Sequence, residues 1–75
     1  KDYKNAVDSY DRAIDINPRS LKALYRKKDA LKKLEDYRAI IAVADRILKL
    51  DSEDRETWFD RGFALEKLKR YKDAV

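Results

Sequence analysis

The stretch Tyr3-Lys4-Asn5-Ala6-Val7 returns almost letter for letter at the other end of the chain, as Tyr71-Lys72-Asp73-Ala74-Val75. The separation, 68 residues, is twice 34, and Tyr37-Arg38-Ala39-Ile40-Ile41 stands midway with the same pattern. Other positions obey the same offset. Asp11-Arg12 recurs as Asp45-Arg46, Asn17 as Asp51, Leu24 as Trp58, Tyr25 as Phe59, Ala30-Leu31 as Ala64-Leu65, and Leu34 as Leu68. Self-similarity at one fixed offset is the signature of a repeat architecture in which each unit buries its apolar face against the next.

Within the period the apolar spacing is helical. Tyr3, Ala6, Val7, Tyr10, Ala13 and Ile14 fall on one helix face, as do Leu21, Leu24, Leu31 and Leu34, then Ile40, Ile41, Ala44, Ile47 and Leu48, then Trp58, Leu65 and Leu68. Asn17-Pro18 ends the first helix, because a residue before proline avoids the helical region. Ser20 is placed to cap the second helix, and Asp51, Ser52 and Asp54 offer the same chemistry one period later. The pattern predicts helices near 2–16, 20–34, 36–50 and 54–68, with a fifth starting near 70. Trp58, Leu65 and the periodic tyrosines are read as core.

Composition agrees. Charged residues are 45% and hydrophobic residues 44% of the 75, the balance of amphipathic helices with charged outer faces. One Gly and one Pro are too few for the turns of a β-protein. No apolar run is long enough to span a bilayer. With no Cys and no His, the usual thiol and imidazole chemistries are excluded. Gly62 stands alone, so no phosphate-binding loop exists, and the acidic group Asp51, Glu53 and Asp54 lacks the ligand spacing of a calcium loop and reads as helix-start capping. No catalytic residue, metal or cofactor is expected. The absence of Cys fits a cytoplasmic protein.

A 34-residue helix–turn–helix period resembles the tetratricopeptide repeat. Trp58, Gly62 and Leu65 stand at the positions of that family's Trp, Gly and Tyr on its first helix, and Ala6, Tyr10, Ala13 and Pro18 at its Ala, aromatic, Ala and Pro on the second. The resemblance covers the whole chain and implies an all-α fold, antiparallel helix pairs stacked as a right-handed α-solenoid. It divides the chain into 1–20, the second helix of one repeat; 21–54, a complete repeat; and 55–75, the first helix and the start of the second helix of another. Lys27 and Arg61 depart from the pattern by replacing Leu, Ser52 by replacing Pro, and Lys28 by replacing the small residue that lets two helices approach. Lys28 is therefore expected to loosen the packing. The second helix of the complete repeat carries Ile40, Ala44 and Ile47 where the first copy has Ala6, Tyr10 and Ala13, which is read as repacking within one fold. Neither end carries the polar cap that solenoids need, so the repeat is expected to continue in a parent protein, and the isolated chain to self-associate.

The resemblance also implies a function: a protein-interaction scaffold whose groove, lined by the first helix of each repeat, holds a peptide or a partner helix. The lining here would be Lys22, Tyr25, Arg26, Asp29 and Lys33, then Glu56, Phe59, Asp60, Phe63 and Lys67. Aromatic and basic groups together suit an extended peptide with acidic and apolar side chains. The family's carboxylate clamp would match only in Lys22 and Arg26, since its Asn positions are filled by Arg26 and Asp60 or by Asp29 and Phe63. A plainer reading pairs Lys22 with Glu56, Arg26 with Asp60 and Asp29 with Lys33 as surface ion pairs. Residues 21–34 carry six basic groups and one acidic, which leaves RNA binding by that basic helix as the alternative function.

Overall fold

The computed structural model describes residues 2–74, with side chains as far as residue 70; Lys1, Val75 and the side chain of Tyr71 lie outside the described set. Four helices follow one another: α1 Tyr3–Ile16, α2 Leu21–Leu34, α3 Tyr37–Leu50 and α4 Arg55–Ala74. Each packs on the next, α1 on α2, α2 on α3 and α3 on α4, so the chain is an all-α stack of antiparallel helix pairs.

The helix starts are written in the sequence at the same phase of every period. Asp2 accepts from the Asn5 backbone N–H, Ser20 from that of Ala23, Asp36 from that of Ala39 and Asp54 from that of Thr57. Each satisfies a donor that the first turn would leave open. The turns after α1 and α3 are also repeats of each other. Asn17 Oδ1 takes the Arg19 N–H, and Asp51 Oδ1 takes the Glu53 N–H, so Ser52 is accommodated where Pro18 stood. Between α2 and α3, Glu35 adopts the left-handed conformation at φ 57°. Its N–H reaches Lys32 O, and the Asp36 N–H reaches Leu31 O, the pair of bonds that closes a helix C-terminus tightly.

The core runs through Ile14, Leu24, Leu31, Tyr37, Ile40, Val43, Ile47 and Ala64. α3, packed between α2 and α4, contributes Tyr37, Ile40, Val43 and Ile47. The large-small-large set Ile40, Ala44 and Ile47 is wholly buried there.

Two expectations fail, for connected reasons. The fifth helix does not begin near 70; α4 continues unbroken from Arg55 to Ala74. The residue that caps α1 and α3 at this phase is Asp2 or Asp36, whereas here it is Arg70, which has no acceptor to offer. Arg70 pairs instead with Glu66 one turn back, at 3.4 Å, a contact that a continuous helix allows. Trp58 and Leu65, read as core, are 50% and 44% exposed. With α4 running straight on, no helix folds back across their stripe among the described residues.

Candidate functional site

Two open pockets lie one period apart. The first, about 280 Å³, is lined by Tyr3, Ala6 and Tyr10 of α1 and by Arg26, Asp29, Ala30 and Lys33 of α2. The second, about 200 Å³, is lined by Tyr37 and Ile40 of α3, by Asp60, Phe63 and Lys67 of α4, and by Lys32 and Glu35. Five positions correspond across the 34-residue shift: Tyr3 with Tyr37, Ala6 with Ile40, Arg26 with Asp60, Asp29 with Phe63, and Lys33 with Lys67. The same corner of the repeat is thus hollow twice, with different chemistry in each hollow.

The second hollow is aromatic. Phe59 and Phe63 are exposed and stack with centroids 6.4 Å apart, and Phe63 meets Tyr37 edge-on at 6.2 Å. The Lys67 ammonium sits 5.3 Å from the Phe63 ring, within cation–π reach. The family resemblance implied Phe59, Phe63 and Lys67 as one surface of α4, and the three lie together; Tyr37, supplied by the neighbouring helix, was missed because it was assigned wholly to the core. The first hollow gathers Arg26, Asp29 and Lys33 of the predicted set. Lys22 and Glu56 lie on the exposed surface and form no ion pair with each other.

Asp60 departs from its expected place. Its carboxylate is buried, held by Lys28 at 3.0 Å and Lys32 at 3.2 Å, rather than by Arg26. Lys28 is only 2% exposed and also donates to the Thr57 hydroxyl at 2.9 Å. Thr57 in turn donates to Asp54 Oδ2 at 2.7 Å. Lys28 therefore does not loosen the packing. In the space the small residue usually leaves, it spans from α2 to α4, and its charge meets a carboxylate and a hydroxyl, so that among the described residues no buried side-chain donor or acceptor is left without a partner. The signal in the sequence was a charge in an apolar slot, with Gly62 as its equivalent one period on. The other two departures from the family pattern are explained alike. Lys27 pairs with Asp11 and Arg61 with Asp45, one ion pair repeated at the 34-residue offset.

A third pocket, lined by Tyr25, Lys28, Asp29, Asp54 and Glu56, abuts this clasp. Here a hydrogen bond to Asp54, reinforced by burial and by the nearby Asp51 and Glu56 charges, pushes the Tyr25 phenol from 10.0 up to about 12. The Thr57 hydrogen bond, aided by Tyr25 and Lys28 and opposed by burial, holds the Asp54 carboxyl below its usual 3.8. Folding thus favours neutral Tyr25 and ionised Asp54. The Tyr25 contribution is fully present below pH 10 and is lost as the pH climbs toward 12. The Asp54 contribution is fully present above pH 3.8 and is lost on acidification below it. Between pH 10 and 12 the melting temperature of wild type should fall more steeply than that of Tyr25→Phe. Parallel curves would mean that the Tyr25–Asp54 bond does not persist in solution.

A family profile of the tetratricopeptide repeat matches residues 1–20, which is α1 with the turn that follows it. No curated protein and no solved structure matches the chain. Among the described residues no helix is long and apolar enough to cross a membrane.

Proposed function

We propose that this chain is a segment of tetratricopeptide repeats and acts as a non-catalytic protein-interaction scaffold. Its expected compartment is the cytoplasm, and its expected partner a peptide or helix laid along the two hollows. The family binds proteins in general; the finer reading, that the groove of this chain is the site, is supported by one observation above the others. The same corner of the repeat is open twice, at a spacing set by the period, and the second opening presents the exposed Phe59–Phe63 stack beside Lys67. Exposed aromatics over a basic group favour ligands that bring an apolar side chain and an acid together. Arg26, Lys33 and Lys22 supply further positive charge along α2. Asp60 is withdrawn from the set by its ion pairs, so it shapes the second hollow without being free to bind.

RNA binding by the basic helix is the weaker reading. Of the six basic groups on 21–34, Lys27, Lys28 and Lys32 are already paired with carboxylates. A protein partner at the groove and further copies of the chain at the uncapped ends are the partners this reading expects.

Peptides selected by display against the immobilised chain should be rich in acidic and aromatic residues. Phe63→Ala and Arg26→Ala should each weaken the best of them about tenfold or more, the loss of a central anchor being worth over 1 kcal/mol. Unchanged affinity in the double variant, with helicity retained by circular dichroism, would move binding off this groove. A steep loss of oligonucleotide affinity with added salt would instead favour the RNA reading.

A further inference from the structure

The 34-residue identity fails at the positions that lock α4 onto α2. On the α4 side the partners are Thr57 and Asp60, and the α2 residues at the same phase are Ala23 and Arg26. On the α2 side the donors are Lys28 and Lys32, and the α4 residues at that phase are Gly62 and Glu66. The apolar neighbours of these positions keep their character from one copy to the next: Leu24 and Trp58, Tyr25 and Phe59, Ala30 and Ala64, Leu31 and Leu65. The apolar pattern is shared by both repeats, whereas the polar lock has one half on each.

We infer that the buried clasp fixes the order in which repeats stack. The helix 21–34 accepts beside it a first helix with a carboxylate at the Asp60 phase and a hydroxyl at the Thr57 phase, and it rejects a copy of itself. An apolar stripe that recurs every 34 residues suits either order, so it cannot tell one repeat from the next. The charges can. With a second α2 in the place of α4, Arg26 would stand where Asp60 does, facing Lys28 and Lys32, and Ala23 would replace the Thr57 hydroxyl. A guanidinium would then join two ammonium groups at a site where Lys28 is 2% and Asp60 6% exposed. Buried charges without a counter-ion are strongly unfavourable. In the order found, one carboxylate takes both lysines, at 3.0 and 3.2 Å. The converse repetition fails as well. An α4 followed by another α4 would set Glu66 toward the Asp60 carboxylate, with Gly62 supplying no cation. Discrimination by a repulsive element in the wrong pairing is a general route to specificity.

The inference holds whatever the groove binds, but it bears on the groove. Lys28 lines the hollow beside Tyr25, and Lys32 and Asp60 line the hollow beside Phe63. Successive repeats present different residues there, Asp29 and then Phe63, so the stacking order is the order in which a ligand would meet them.

Exchanging the two halves of the lock tests it. Thr57→Ala with Asp60→Arg gives α4 the residues of α2. Lys28→Ala with Lys32→Glu gives α2 the charge pattern of α4, with Ala in place of Gly to spare the helix. Trp58, the single tryptophan, lies on α4, so its fluorescence reports docking, and amide hydrogen exchange reports α4 directly. Each exchange alone should lower the protection of α4 amides about tenfold or more. The fourfold variant should regain most of it, because opposite charges again meet across the junction. Asp60→Met, of similar reach to arginine but uncharged, should lose less protection than Asp60→Arg. A fourfold variant no better protected than its weaker parent would overturn the proposal, even where a parent does not fold. So would wild-type protection in the Thr57→Ala, Asp60→Arg variant, or equal losses for Asp60→Met and Asp60→Arg, which would mean that the site fastens the helices without discriminating between them.

Discussion

Replacing Asp60 with Ala is expected to destabilise the chain by about 3–5 kcal/mol, because it strands the buried Lys28 ammonium without its carboxylate. The reason lies in how that charge is enclosed. Lys28 is almost wholly buried, its ammonium is 3.0 Å from Asp60, and its one other hydrogen-bond partner is the Thr57 hydroxyl. A neutral hydroxyl cannot offset the desolvation of a full charge. For comparison, Arg61→Ala removes the more exposed pair with Asp45 and should cost about 0–1 kcal/mol. Against a total stability of roughly 5–15 kcal/mol for a domain, the Asp60 loss is large and the Arg61 loss small. Urea unfolding followed by helicity separates them. The double variant Lys28→Met with Asp60→Leu should recover most of the loss, since apolar groups of similar volume often replace a buried pair without penalty. Equal losses for Asp60→Ala and Arg61→Ala would mean that water reaches Lys28 and the clasp is an ordinary surface contact.

That clasp also marks where sequence reasoning stopped. The 34-residue offset aligns equivalent positions, and on that basis Arg26 was set against Asp60. Stacked helices do not meet at equivalent positions, however. Asp60 is met by Lys28 and Lys32, one turn apart on a different stripe of α2 from Lys22, Arg26, Asp29 and Lys33. A period gives phase along each helix but not the sideways displacement between helices. The helix starts were more legible, because a cap acts within three residues of itself: Ser20 and Asp54 do what their positions suggest. Trp58 and Leu65 were misplaced for the opposite reason. Their stripe was identified, but a stripe is buried only when something lies on it, and that depends on whether the chain turns near residue 70. The turn itself was decided locally, by Arg70 in a slot that needs an acceptor. Of the candidate groove, the α2 charges were readable from spacing and the α4 aromatics from the family resemblance. The contributions of Tyr3, Tyr37 and Ile40 were not, since the hollow lies between helices and its walls come from both layers.

Exchanging the sizes of one core pair tests the register on which the packing rests. Ile47→Ala should cost about 2–5 kcal/mol, since Ile47 is fully buried and the helices around it cannot close the gap completely. Leu24→Trp alone should cost about 1–3 kcal/mol, because an indole is forced into a space already filled. Together they invert the sizes at one core pair. The indole then occupies the volume that the isoleucine gave up. The double variant should be more stable than the sum of its parts predicts by about 0.5–3 kcal/mol, the range expected for residues that share one cavity. Melting curves and urea titrations of the four proteins complete the cycle. Strict additivity would show that positions 24 and 47 do not share space. A strong favourable coupling would show that the repeat permits two alternative volume distributions at one register.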